Sequence, residues 1–315
     1  MLIRKKYLIF AIAIGLTTLL LSDSRFQFFV LALQYEPIMA DASLEDTTDT
    51  NVSATTDRSG REAALLSAFF GLDNHLPYLA NLAICNGAAG LDGMPVVFSH
   101  ELDLESLQAG DFEVQSENGQ TGSIKCVTLA PADNLGERRT VLIVGELGSQ
   151  IDKPMTVRIV GNLLSKDYSV NFIETEVGVV PLDDGPSLAL AELVPVVQWD
   201  LGRLATRLPW GGGSSCPLGS KQVVRVTWEG GVTLPGGAEV DDKIRRAYSV
   251  LVSDDRGVTR EIEPFALGDL GDGDNNHLLC LDISDPAKEI RFPKGLLTDP
   301  NEDLNPETSQ LVLRY

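Results

Sequence analysis

Hard oxygen donors recur at every second position in two stretches near the C-terminus. Asp272, Asp274 and Asn276 follow Asp269 in the first; Asp299, Asn301, Asp303 and Asn305 form the second. Calcium takes six to eight oxygens from carboxylates, amides, backbone carbonyls and water, so a loop that turns such side chains toward one centre is a calcium clip. Neither stretch is an EF-hand. That loop needs Gly at its sixth position, where His277 and Leu304 stand, and Glu at its twelfth, where Ile283 and Gln310 stand. Asp, Asn, Gly and Pro also close tight turns by bonding to their own backbone, which is the competing account of the same residues. Residues 266–307 carry ten acids against three bases, a net of −7. Such density repels itself unless something neutralises it.

Other chemistry is thin. The chain has three histidines, and His100-Glu101 lacks the second His of a zinc-protease helix. Gly212-Gly213-Ser214-Ser215-Cys216 departs from G-x-S-x-G at its last position, and Gly219-Ser220-Lys221 does not have the spacing of a phosphate loop. A Cys216–His277 nucleophile pair loses to oxidation of the cysteine. Trp210, in a glycine-rich loop, is the aromatic to test as a stacking surface for a sugar ring, whereas Trp228 ends a strand and belongs to the core. Carbohydrate is therefore a candidate ligand. Carboxylate pairs of the kind that cleave glycosides are available in any acid-rich β protein, so a secreted hydrolase using the second half is the alternative function.

The elements that must position these residues follow from the N-terminus onward. Arg4, Lys5 and Lys6 precede an apolar run from Tyr7 to Leu21, the pattern of an export signal. Phe26–Leu33 adds a second apolar patch after Asp23 and Arg25. Residues 1–42 thus read as a signal peptide, with a signal-anchor through residues 7–33 as the alternative. The expected location is secreted or cell surface. Residues 43–60 are rich in Thr, Asp and Ser and read as a disordered linker; Asn51 in Asn51-Val52-Ser53 is a glycosylation acceptor in a eukaryotic host. The net charge of −20 disfavours nucleic acid and anionic lipid, so membrane contact is expected through an uncleaved leader alone. Cations or basic protein surfaces are the natural partners.

Four cysteines in an exported chain imply disulfides. Cys85 with Cys126 and Cys216 with Cys280 is the favoured pairing, because each bond then closes within one half; loops of this size are worth about 4 kcal/mol in the chain-entropy model. Alternating or β-branched runs separated by Gly and Asn turns fill both halves, and no long helical period intervenes. The fold expected is all-β: two β-sandwich domains in tandem, residues 61–176 and 177–315. A short helix over Arg61–Phe70 precedes the first. Strands are expected at 96–99, 112–115, 124–129, 140–144, 155–160 and 168–172, then at 223–228, 248–252, 259–262, 277–281, 289–292 and 310–313. Residues 177–181 mark the seam between halves, and 188–197 is apolar with no clear period.

Within residues 90–175, Pro95-Val-Val-Phe-Ser99 with Leu102-Asp103, then Asp111-Phe-Glu-Val114, Thr128-Leu-Ala-Pro131 and Thr140-Val-Leu-Ile-Val-Gly145 resemble the bacterial Ig-like modules of surface-layer and adhesin-type proteins. The resemblance implies an extracellular spacer or binding sandwich and brings no catalytic residues. Residues 134–139 and the cysteines depart from that module. The functional expectation is an exported, non-catalytic structural or binding module stabilised by calcium.

Overall fold

Two seven- and eight-strand arrays of short, mostly β-branched or apolar segments make up nearly all the regular structure. The computed structural model describes residues 45–134, 136–149, 151–205 and 212–314. The leader expected in residues 1–42, with its apolar 7–33 segment, lies outside the described residues, and so does Trp210. Among the described residues no helix is long and apolar enough to cross a membrane.

The first array contains β1 (Leu65–Phe69), β2 (Asp92–Phe98), β3 (Phe112–Ser116), β4 (Ser123–Thr128), β5 (Thr140–Glu146), β6 (Pro154–Ile159) and β7 (Glu176–Val180). Its order is β4-β5-β2-β1 on one side and β7-β6-β3 on the other, joined where β1 and β7 run parallel. Leu65, Val96, Phe98, Val127 and Ile143 from the first side share one core with Phe112, Val114, Val157 and Ile159 from the second, so the array is folded over as a sandwich. Phe98 meets Phe172 edge to face at 5.1 Å between ring centroids, a favoured geometry for buried rings.

The second array contains β8 (Leu188–Leu193), β9 (Gln222–Trp228), β10 (Ser249–Ser253), β11 (Thr259–Ile262), β12 (Ala266–Gly268), β13 (Asn276–Leu281), β14 (Ala287–Phe292) and β15 (Thr308–Leu313). It repeats the first plan: β8-β9-β13-β12, then β15-β14-β10-β11, joined by a parallel β8–β15 pair. Alternate residues of β9 explain its burial on both faces. Val224, Val226 and Trp228 enter the sandwich core, while Arg225 faces the first sandwich and bonds its Gly136 carbonyl. Residues 38–315 accordingly form one compact unit.

Both expected disulfides are present, Cys85–Cys126 and Cys216–Cys280. Each runs from the connection between the first two strands of its sandwich to a later strand of the same sheet, the edge strand β4 in the first and β13, beside β9, in the second. Disulfides fit an extracellular or oxidising environment.

Four expectations need correction. Arg61–Phe70 is not a helix: Leu65–Phe69 is β1, because pairing with β2 and β7 on its two sides outweighs the helix propensity of Ala and Leu. The helix nearby is the single turn α1 (Ala80–Ala83). Residues 168–172 form a turn rather than a strand; Tyr168 sits at φ 55° and Ser165 Oγ accepts from the Ser169 and Val170 amides at 3.0 Å. The seam falls after Val180, since residues 176–180 pair with β6 and β1. Residues 45–60, read as a disordered linker, lie along the first sandwich instead. Asn171 bonds the Val52 carbonyl, Thr47 bonds Gln108, and Asp46 accepts from Asn162, so polar residues are held by hydrogen bonds where apolar ones would be held by burial. Asn51 stays exposed in this strap.

In the second core, Trp228 Nε1 donates to Tyr248 Oη at 3.1 Å, and Tyr248 Oη lies 2.7 Å from His277 Nδ1. That chain of donors works only while the imidazole is neutral. Burial pushes His277 down from 6.5 to about 4. The unfolded chain therefore takes up this proton first, and stability is lost as pH falls from about 6.5 toward 4. The loss attributable to this group is on the order of 3 kcal/mol. Urea midpoints of wild type and His277→Gln at neutral pH and near pH 4 check this: the variant should show a clearly smaller acid loss.

Candidate metal centre at the junction of the two sandwiches

Asn134 and residues 136–139 between β4 and β5, within the segment that departs from the Ig-like pattern, reach the second sandwich through polar contacts. Asn134 Nδ2 donates to Asp272 Oδ2 at 3.3 Å, and the Gly136 carbonyl accepts from Arg225 Nη1 at 2.8 Å. Glu137 lies 3.6 Å from Arg225, and Arg139 pairs with Glu192 at 2.9 Å. Glu192 Oε1 also meets Arg225 at 3.2 Å. Gly136 has φ 92°, and a Cβ there would sit 2.6 Å from Arg225 Nη1, so the loop's approach requires glycine.

Facing this loop is the acid stretch between β12 and β13. A carboxylate oxygen from each of Glu137, Asp269 and Asp274 lies within 4.8 Å of the others, and all three residues are buried. Asp269 holds a left-handed backbone at φ 60°, which Asp tolerates better than most residues. Its amide bonds the Ser214 carbonyl. Asp274 is braced by Asn276, whose backbone amide donates to Oδ1 at 2.7 Å and whose Nδ2 donates to Oδ2 at 2.9 Å. Asp272 accepts the Gly213 amide at 2.7 Å. Glu137 Oε2 and Asp269 Oδ2 receive no hydrogen bond from other protein groups and face one another.

The glycine-rich stretch before Cys216 forms the roof over these acids in its described part. A Cβ on Gly213 would fall 2.7 Å from Asp272 Oδ2 and 2.9 Å from the Asp269 Cα. The Cys216–Cys280 bond fixes this roof to β13.

With every group ionised, five buried carboxyls (Glu137, Glu192, Asp269, Asp272, Asp274) face two buried guanidiniums (Arg139, Arg225), a net of −3. Burial raises Asp269 well above the usual carboxylate range, and the Glu137, Asp274 and Asp272 charges add to it. Asp274 is raised well above that range by burial and then by Asp272 and Glu137. Glu137 and Asp272 are also raised by burial, opposed by Arg225 and by the Gly213 amide respectively. For Arg225, burial alone would favour the neutral form, but Glu137 and Glu192 outweigh it and raise its pKa.

Of the eight residues read as ligands, Asp269 and Asp274 converge, and Asp272 stands beside them. Asn276 is not turned as a ligand: its Oδ1 accepts from Thr227 Oγ1 at 2.7 Å and its amide donors face Asp274. The second stretch is held by turn hydrogen bonds, with Asp299 Oδ2 buried and without a partner. Asp299 Oδ1 accepts the Asn301 and Asp303 amides at 3.0 and 2.8 Å, and Asn301 Nδ2 bonds Asp303 Oδ2. Asn305 Oδ1 accepts the Leu296 and Leu297 amides at 2.9 Å while its Nδ2 bonds the Pro293 and Pro306 carbonyls. Its side chain is fully used in bracing backbone. Burial still pushes Asp299 up to about 6. Glu137 was missed because it lies in the other half of the chain. The one hint was the loop's departure from the module pattern.

A second cleft of about 480 Å³ opens on the other side of Arg225, lined by Arg61, His100, Glu101, Arg139, Lys166 and Glu192. His100 on its wall lies 3.2 Å from Asp57 and 2.8 Å from Ser99, the separations of a hydrolase triad. Hydrogen-bond accounting removes the nucleophile. Ser99 Oγ donates to the Glu62 carbonyl and accepts the Ala64 amide, and His100 Nε2 accepts from Arg61 at 2.8 Å, which puts the imidazole proton on Nδ1. The chain matches no known family model and no curated protein.

Removing one member of a buried ion network leaves the others uncompensated. Arg225→Met should lower unfolding free energy by about 3–5 kcal/mol, and adding Glu137→Met should restore part of it, since Glu192 keeps Arg139 as its partner. Gly213→Ala should cost about 1–3 kcal/mol through overpacking. Chemical denaturation of the variants measures both.

Proposed function

We propose that the chain acts as an exported, non-catalytic structural or binding module, a stiff tandem of two Ig-like sandwiches. The observation that carries this reading is the ion network Arg139–Glu192–Arg225–Glu137, in which two residues of the second half stand between two of the first. Buried pairs of this kind add little net stability but penalise any other docking of the two surfaces. A hinge would not need them. The Ig-like assignment draws on strand order: β1-β2-β5-β4 against β7-β6-β3 corresponds to the ABED and CFG sheets of such sandwiches, and the second half follows the same plan with β11 added. Secretion draws on the basic and apolar N-terminus together with the two disulfides.

With a net charge of −20 the module suits cations or basic partner surfaces. Carbohydrate remains a ligand to assay, with Trp210 as the contact. The second reading, a secreted hydrolase, has one observation in its favour: Asp274, raised by burial and its acidic neighbours, lines a cleft of about 180 Å³. The walls of that cleft include Phe69, Leu72, Leu76 and Leu142, which offer a glycan few hydrogen bonds.

Limited proteolysis of the exported protein tests the stiff tandem. Residues 45–314 should persist as one fragment, and their four cysteines should be unreactive to a thiol reagent in denaturant until reductant is added. Early cleavage between Val180 and Leu188 that releases two stable halves, or turnover of glycan substrates that is lost in Asp274→Asn, would overturn the reading.

A further inference from the structure

We propose that Glu137, Asp269 and Asp274 bind one divalent cation, calcium by preference, which clamps the first sandwich to the second. This assignment stands apart from the module reading, since an enzyme could equally carry such a clamp.

The first ground is geometry. Ligand oxygens at about 2.3–2.6 Å from a calcium ion can be at most about 5 Å apart. The three carboxylate oxygens lie within 4.8 Å of one another. The second ground is independent of that spacing. Glu137 Oε2 and Asp269 Oδ2 face one another and receive no hydrogen bond from any other group of the protein, although the two residues are only 2% and 3% exposed. Buried carboxylate oxygens are costly to leave unmet, and a cation meets both at once. The third ground is charge: Arg139 and Arg225 offset only part of the five carboxyls, leaving room for a doubly charged ion.

The donor set selects the ion. Anionic oxygens without imidazole or thiolate suit calcium, magnesium or manganese rather than zinc or copper. Magnesium sheds its water reluctantly, and these oxygens are closed to solvent, which favours calcium. Asp272, adjacent to both acids of its loop, is the natural source of a further oxygen. Asn276 and Arg225 brace Asp274 and Glu137.

The test uses the full exported chain, freed of metal with a chelator, titrated calorimetrically with calcium chloride and separately with magnesium chloride at neutral pH, alongside thermal melts. One calcium per chain is expected, with Kd at or below about 10⁻³ M, the weak end for extracellular modules, and weaker magnesium binding. Asp269→Asn and Glu137→Gln, on opposite sandwiches, should each weaken calcium binding at least about 100-fold. Both should melt no lower than chelated wild type, because each removes buried charge. Asp303→Asn, in the turn that bonds itself, should bind as wild type does. The proposal is overturned by any of three outcomes: no heat and no melting shift in wild type at about 10 mM calcium, an unchanged response in Asp269→Asn, or loss of binding in Asp303→Asn. Variants that melt higher in a wild type indifferent to calcium would identify a proton-sharing carboxyl cluster instead.

Discussion

Burying an excess of negative charge between two sheets is the constraint on which the junction depends. The oxygens of Glu137, Asp269 and Asp274 approach within 4.8 Å, and Glu137 Oε2 and Asp269 Oδ2 are shut off from solvent. Carboxylates do not gather so closely unless guanidinium, hydrogen-bond donors, protons or a cation answer them. Each neighbouring feature supplies part of that answer. Arg225 leaves the face of β9 to reach Glu137 and Glu192, the Gly213 amide caps Asp272, and Asn276 braces Asp274. The glycines at 136 and 213 let backbone come near enough to take part.

The two sandwiches share a plan that their sequences conceal. In each, the first strand pairs antiparallel with the second and parallel with the last. In each, the connection after the first strand carries a cysteine bonded to a later strand of the same sheet. That bond holds a long, irregular connection against the sandwich, where few backbone hydrogen bonds could do so. In the second sandwich the arrangement is put to a further use, because the connection so fixed roofs the acid loop.

Local pattern carried much of the strand reading. Runs such as Val223–Trp228 and His277–Leu281 alternate or branch in a way that suits a pleated sheet, and they form β9 and β13 within a residue at each end. The pairing of the cysteines was also legible, from their division between the halves. The misses have a common cause. Leu65–Phe69 is apolar enough for either helix or strand, and partners 30 and more than 100 residues away decide it. Residues 45–60 look too polar to order, but their hydrogen bonds go to Gln108, Asn162 and Asn171, which no local window contains. The acid loops posed the same problem in reverse. Both have the alternation of a cation clip, yet in 299–305 the side chains turn back on their own backbone.

The chain alone determined its all-β class, its acidity, its disulfide partners and the location of its densest oxygen donors, because each of these is set by composition and short-range alternation. Tertiary structure decided which donors meet. Side-chain convergence depends on the path of loops between strands, and Glu137 joins Asp269 and Asp274 because the connection between β12 and β13, more than 100 residues later in the chain, is brought against the connection between β4 and β5.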